Sequence, residues 1–287
     1  MFMKKKNLVI SELQKMFGPD FVIKLEKIKK DNNVIKIGYV IKQKDSKIAP
    51  IFYDENFDID DPYEKALCIY QAYYQNNSNQ SVDINLNQLT HYNLIKDKIY
   101  CMILNKELNQ SNLDNYPYIE FMDFVVLFYI DFNINDYKGK IKINHSLLEM
   151  WDISIDTLFE IAKDNTKQNL SIKKMSSVLS DMLDVTENDI DLLSMYIYTT
   201  KNNYYGAAAI LFIDEIDRLA NYLQSDLYIL PSSVHELILH PVSNRENELD
   251  YINHMIKEIN VVSVISEEVL SNHVYLYKKD EKKIIIP

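Results

Sequence analysis

Residues 227 to 242, "LYILPSSVHELILHPV", bring Ser232, Ser233, His235, Glu236 and His240 close together in sequence. Such residue types suggest two chemistries. A histidine followed by glutamate is half of a zinc-protease signature, and a serine near a histidine is what acyl transfer requires. The spacing serves neither. In HExxH the two histidines lie four residues apart, ~40° around a helix axis, and can share one metal. Here the spacing is HExxxH, which places His235 and His240 ~140° apart on a helix and on opposite faces of a strand. Ser232 and Ser233 follow Pro231 and lack the GxSxG frame of a nucleophile elbow. No metal site is expected. The apolar "LILH" predicts a strand, with "PSSVHE" as the turn leading into it. His235 reads either as a structural residue, in a hydrogen bond with Glu236 or in a capped turn, or as part of a site.

A second polar segment, "SNH", precedes the strand-like "VYLY" near the C-terminus. If the two strands are neighbours in one sheet and enter it from the same edge, His235, Glu236 and His273 could share hydrogen bonds or a ligand. The candidate binding cluster is therefore Ser232, Ser233, His235, Glu236, Asn272 and His273. No catalytic roles are assigned to its members, because polar turn residues on a rigid sheet mark binding sites as readily as reactive ones.

Other signatures fail on context. "AAAILFIDEIDRLA" resembles the Walker B strand of an ATPase, but no GxxxxGK[ST] loop exists to cradle phosphates. Ala209, Phe212, Ile213, Ile216, Ala220 and Leu223 fall on one helical face, so a helix is the better reading. "DENFDIDD" from Asp54 and "DFNIND" from Asp131 place oxygen ligands at positions 1, 3 and 5 of a calcium loop. Neither has the sixth-position glycine, and Lys65 and Lys142 stand where the bidentate glutamate belongs. Helix capping and a polar hairpin turn account for them. Cys68 and Cys101 have no CxxC spacing and predict buried free thiols. No cofactor is expected.

The elements that must position these residues follow from periodicity. Residues 8 to 17 have helical spacing and stop at Gly18-Pro19. "FVIKLEKIKK", "NVIKIGYVIK" and "KIAPIFYD" alternate as a three-stranded meander. Asp61, Pro62 and Glu64 predict a helix over about 62–76. The polar stretch "QNNSNQSVDINLNQ" suggests a boundary near residue 80, separating an N-terminal unit (1–80) from a larger domain (81–287). Beyond it "KIYCMIL" and "YIEFMDFVVLFYIDF" read as strands, the second buried on both faces, with "KGKIKI" as a hairpin partner. Ser146 with Glu149 reads as a capping box, followed by a helix in "SIDTLFEIAKD". Helices at 174–184, 205–223 and 248–259, strands at 193–200 and near 227 and 237, and a terminal hairpin complete the order. The fold class is α+β with mixed or antiparallel sheets.

Composition bounds the rest. Of 287 residues 47% are apolar, enough for one large core or two moderate ones. The net charge of −11 repels phosphate backbones, so no nucleic-acid partner is expected. Lys4-Lys5-Lys6 reads as a loose, solubilising end. The longest apolar runs fall far short of the ~20 residues a membrane span needs, and no signal peptide is visible. A cytoplasmic protein without membrane contact is expected.

The ordered segments "YPYIEFMDFVVLFYI", "MWDISIDTLFEIAKDNT", "YIYTTKNNYYGAAAIL", "DLYILPSSVHELILHPV" and "EEVLSNHVYLYKKD" resemble a bacterial family, domain of unknown function 5688. A more distant similarity is to the family numbered 1444. Asn272 departs from the pattern, in which an aspartate precedes the His-Val pair. The resemblance implies a fold and a surface to look at, not a reaction. The functional expectation is a non-enzymatic protein that binds another protein or a small ligand. The alternative is a hydrolase or small-ligand enzyme built on the His/Glu cluster.

Overall fold

A computed structural model describes residues 2–46, 49–77, 89–134, 137–183, 195–243 and 246–287. The chain divides into two compact units, Met1–Ile84 and Asn85–Pro287. The boundary expected near residue 80 lies outside the described residues, as does most of the polar stretch that suggested it.

The N-terminal unit contains α1 (Phe2–Phe17), β1 (Phe21–Lys29), β2 (Ile35–Gln43), β3 (Ile51–Tyr53) and α2 (Pro62–Asn77). Gly18, at φ +78°, ends α1 and donates its N–H to the Gln14 carbonyl at 3.0 Å. Asp61 caps α2, accepting from the N–H groups of Tyr63 (3.0 Å) and Glu64 (2.9 Å). The three strands pair antiparallel in sequence order. Ile23, Tyr39, Ile41 and Phe52 of the sheet meet Val9, Leu13 and Phe17 of α1 and Ala66, Ile69 and Tyr73 of α2 in one core. The lysine run is not a loose end. It lies within α1, and Lys6 is 4% exposed and ion-paired with Asp54. These partners are 48 residues apart in sequence, and only the packing of α1 over the sheet brings them together.

The C-terminal unit begins with α3 (Tyr92–Ile95), β4 (Ile99–Asn105), α4 (Lys106–Asn109), β5 (Ile119–Phe121), β6 (Phe124–Ile134) and β7 (Tyr137–Lys142). It continues through α5 (His145–Trp151), α6 (Ile155–Gln168), β8 (Leu170–Lys174), α7 (Met175–Leu183), β9 (Tyr196–Thr200) and a 3-10 turn, Gly206–Leu211. The last elements are α8 (Ile213–Leu223), β10 (Leu227–Ser233), β11 (Glu236–Pro241), α9 (Glu248–Val262), β12 (Tyr275–Lys278) and β13 (Lys283–Ile285). The fold is α+β, and among the described residues every strand pair is antiparallel. β6 joins β4, β5 and β7 in one sheet, and a six-stranded sheet runs β13-β12-β10-β11-β9-β8.

Several local expectations shift. "YIEFMDFVVLFYIDF" is two strands rather than one, because Met122 (φ +55°) and Asp123 turn the chain between β5 and β6. Phe124 to Ile130 are nonetheless buried throughout, as a strand covered on both faces must be. The helix expected over 205–223 breaks at Phe212 (φ −109°, ψ 71°), which separates the buried 3-10 turn from α8. That turn contacts β4, β9, β11 and α6 and so fills the space between the sheets with alanines. Asn144, not Ser146, caps α5, accepting from Leu147 N–H at 3.0 Å. β8 has too short and polar a sequence to signal itself.

Candidate functional site

Antiparallel pairing decides where the two polar turns lie. β10 is flanked by β11 and β12, both antiparallel to it, with Ile229 opposite Leu239 on one side and Tyr275 on the other. Both flanking strands therefore start at the end of the sheet where β10 finishes. They are not neighbours, because β10 separates them by two strand spacings, about 10 Å. Alternation along β10 sends Leu227 and Ile229 into the main core, and Tyr228 and Leu230 toward Ile252 and Ile256 of α9. The candidate residues thus stand at one edge of a sheet covered on both faces.

The first turn is shorter than expected. Ser232 and Ser233 belong to β10, Glu236 opens β11, and only Val234 and His235 turn the chain. The pairing register shifts between Leu230 and Ser233, around Pro231, which has no N–H for a ladder. The Ser232 side chain lies outside the described part of the chain. Ser233 Oγ accepts from His235 N–H at 3.1 Å, and Ser233 faces Glu236 in the ladder.

His235 does not bond to Glu236. Its Nδ1 accepts the main-chain N–H of Tyr205 at 3.1 Å, so that nitrogen carries no proton and Nε2 faces Glu268 Oε1 at 3.2 Å. Tyr205 stacks on the imidazole at 5.6 Å, Tyr204 meets it edge-on at 4.7 Å, and Lys140 Nζ sits 3.6 Å above the Tyr204 ring. Thr199 Oγ1 donates to the His235 carbonyl at 2.7 Å. Gly206 packs here so closely that a Cβ would overlap both Thr199 Oγ1 and that carbonyl oxygen. The "YYGAAA" segment is thus the partner of the His235 turn.

His273 has a different set of partners. Nε2 lies 3.0 Å from Asp123 Oδ2, and Nδ1 lies 3.3 Å from the Val274 carbonyl. The buried Tyr275 hydroxyl donates to the same carboxylate at 2.7 and 2.8 Å and lies 3.2 Å from Ser271 Oγ. Burial, opposed by Ser271 and reinforced by Asp123, pushes the Tyr275 hydroxyl well above its ordinary pKa. Asn260 of α9 donates to the Ser271 carbonyl (2.8 Å) and to Asn272 Oδ1 (3.0 Å), and Asn253 Oδ1 accepts from Val274 N–H at 2.9 Å. The turn is therefore fastened to α9, and Asn272 and His273 form one side of an open groove of about 870 Å³ along that helix.

The six candidates fall into two groups. Ser232, Ser233, His235 and Glu236 lie at or beside the turn from β10 to β11, and Asn272 and His273 in the turn before β12. Among the described residues no hydrogen bond or ion pair joins the two histidine groups. Sequence reasoning missed Asp123, Glu268, Tyr205 and Tyr275. Asp123 stands 150 residues from its histidine, and its only local signal was a polar residue inside an apolar run.

Other chemistries have structural answers. Asp214 pairs with Lys167 and Glu215 with Arg218, so the acids of the Walker-like segment serve surface ion pairs. Asp54 is occupied by Tyr39, Lys6 and Lys65. Burial pushes the Cys101 thiol up to about 12, which keeps it neutral. Among the described residues no group of His, Cys, Asp and Glu could hold a metal, and no helix is long and apolar enough to cross a membrane.

An antiparallel α+β protein with a groove at one sheet end is the class that fold and site define. The chain belongs to the family of unknown function DUF5688, whose model matches residues 2–279. That match does not show the more distant similarity to the family numbered 1444. No curated protein and no solved structure matches the chain.

Proposed function

We propose that the C-terminal unit is a non-catalytic recognition module, acting in the cytosol, that takes a segment of a partner protein into the groove between α9 and the Asn272–His273 turn. One observation carries this reading. A pre-fastened wall, His273 held by Asp123 and Asn272 held by Asn260, faces a helix stripe with unused binding capacity. Asp250 and Lys257 on that stripe carry no ion pair among the described residues. Val261 and Val262 at its end are 85% and 83% exposed. The stripe from Asp250 to Val261 is about 16 Å long, suited to an extended or helical peptide rather than to an enclosed metabolite. A nucleic-acid partner is disfavoured by the net charge of −11.

The histidine environments weigh against the alternative, a hydrolase. Both ring nitrogens of His235 and both of His273 already face partners within the fold, so neither ring is placed to take a proton from a nucleophile. The test is capture from the native host with the tagged full chain, followed by affinity measurement on the captured protein. Val261→Asp with Lys257→Glu should weaken binding about tenfold or more, since it replaces an apolar contact by a charge and reverses a second charge in the groove, while His235→Ala leaves it unchanged. Equal affinity for the wild-type and groove variants would sink the reading.

A further inference from the structure

The N-terminal unit has a cavity of its own, about 360 Å³, bordered by α1, β2 and the start of α2. Three ammonium groups line it, Lys5, Lys6 and Lys65, against two carboxylates, Asp54 and Asp60. Asp54 organises the buried part. Its Oδ1 accepts from Tyr39 OH at 2.9 Å and from Lys65 Nζ at 3.2 Å, and its Oδ2 accepts from Lys6. Burial works to raise the Asp54 pKa, but these three donors outweigh it and hold the group below the usual carboxylate range. Lys5 pairs with Asp60 at 3.0 Å at the solvent rim, where the Asp60 side chain is 99% exposed.

The Lys6 and Lys65 side chains are only 5% and 14% exposed, so water does little to solvate either charge. An ammonium carries three N–H donors, and Lys65 gives one of them to Asp54. One carboxylate therefore holds two lysines in fixed positions beside an open volume, with the positive charges of the lining exceeding the negative by one. Val9, Ile59 and Pro62 supply apolar wall on the same cavity. Around this site the local field is not hostile to anions. Residues 1–84 carry 13 Lys and Arg against 12 Asp and Glu, so the acidic excess of the chain lies in the other unit.

The geometry points to a binding site for a small organic anion, a carboxylate or phosphate monoester, with its head group on Lys65 and its apolar body on Val9, Ile59 and Pro62. The volume lies within the ~300–1,000 Å³ of small-molecule sites and exceeds what an inorganic ion fills. Calorimetric titration of the full chain with benzoate and with phenyl phosphate tests this, with inorganic phosphate as the head group alone. Saturable one-to-one binding of either organic probe, tighter than that of inorganic phosphate, is expected, and the preferred probe identifies the head group. Lys65→Met should weaken it about tenfold or more, the effect of losing a charge-assisted hydrogen bond. Ile59→Trp, which keeps every lysine and fills the cavity, should weaken it too, and covers the case in which Lys65→Met fails to fold. Methyl NMR on the wild-type chain should show Val9 and Ile59 shifting with the bound probe. The site is refuted by the absence of saturable binding of both organic probes, by binding that both variants retain, or by inorganic phosphate binding as tightly as phenyl phosphate.

Discussion

Gly206 shows how one residue can control the geometry of the His235 turn. Any side chain there would overlap Thr199 Oγ1 and the His235 carbonyl oxygen, which are themselves hydrogen-bonded at 2.7 Å. The preceding residue, Tyr205, is in the left-handed region at φ +50° and presents its N–H to His235 Nδ1. Gly206→Ala must therefore push β9 away from the turn. We expect a loss of about 2–3 kcal/mol in urea denaturation, within the range for an overpacked core. His235→Ala, which removes the ring but keeps the backbone contacts, should cost less. Equal stability of Gly206→Ala and wild type would mean that the turn is not pinned as described.

At the scale of elements, the helices are held by caps that sequence patterns locate only in part. Ser154 Oγ accepts from Thr157 N–H at 3.2 Å and opens α6, which buries Leu158, Ala162 and Thr166 along one face. Asn144 does the same for α5. Ser146, which fits a capping box by type and spacing, lies inside α5 and is not its cap. Asn144→Ala and Ser154→Ala should each lower stability by about 1 kcal/mol, and Ser146→Ala by much less. Thermal unfolding of the three variants checks this, since an effect of Ser146→Ala as large as that of Asn144→Ala would contradict the assigned cap.

For the whole molecule, separate cores are the governing fact. The Val9, Leu13, Tyr39, Ile69 and Tyr73 core belongs to the N-terminal unit alone, and the Phe128, Tyr198, Ile229 and Tyr275 core to the C-terminal unit alone. A unit with its own core can fold by itself. Residues 85–287 expressed alone should give a cooperative melt and keep the near-ultraviolet signal of Trp151, which is 6% exposed. A molten, non-cooperative product would show that the larger unit depends on the smaller. The smaller unit, at the lower end of domain size, should be the less stable when expressed alone.

Sequence by itself determined the α+β class, the meander between two helices, the buried β6 and the membership of the family. The first three rest on local periodicity, capping or composition, which residues near one another in the chain express, and the family rests on the resemblance of the ordered segments taken together. It also determined that the HExxH-like stretch has the wrong spacing, that the calcium-like stretches lack the glycine and glutamate of a calcium loop, and that no phosphate loop accompanies the Walker-like one. Only the tertiary structure decided that "PSSVHE" is mostly strand, that β10 stands between the two polar turns, and that His235 answers to Tyr205 and Glu268 while His273 answers to Asp123. The same is true of Lys6, which reads as a loose charged end and is a buried ion pair 48 residues from its partner. Side chains brought together by antiparallel pairing and helix packing share no local pattern, because their approach depends on strand order and register, which the whole core fixes at once.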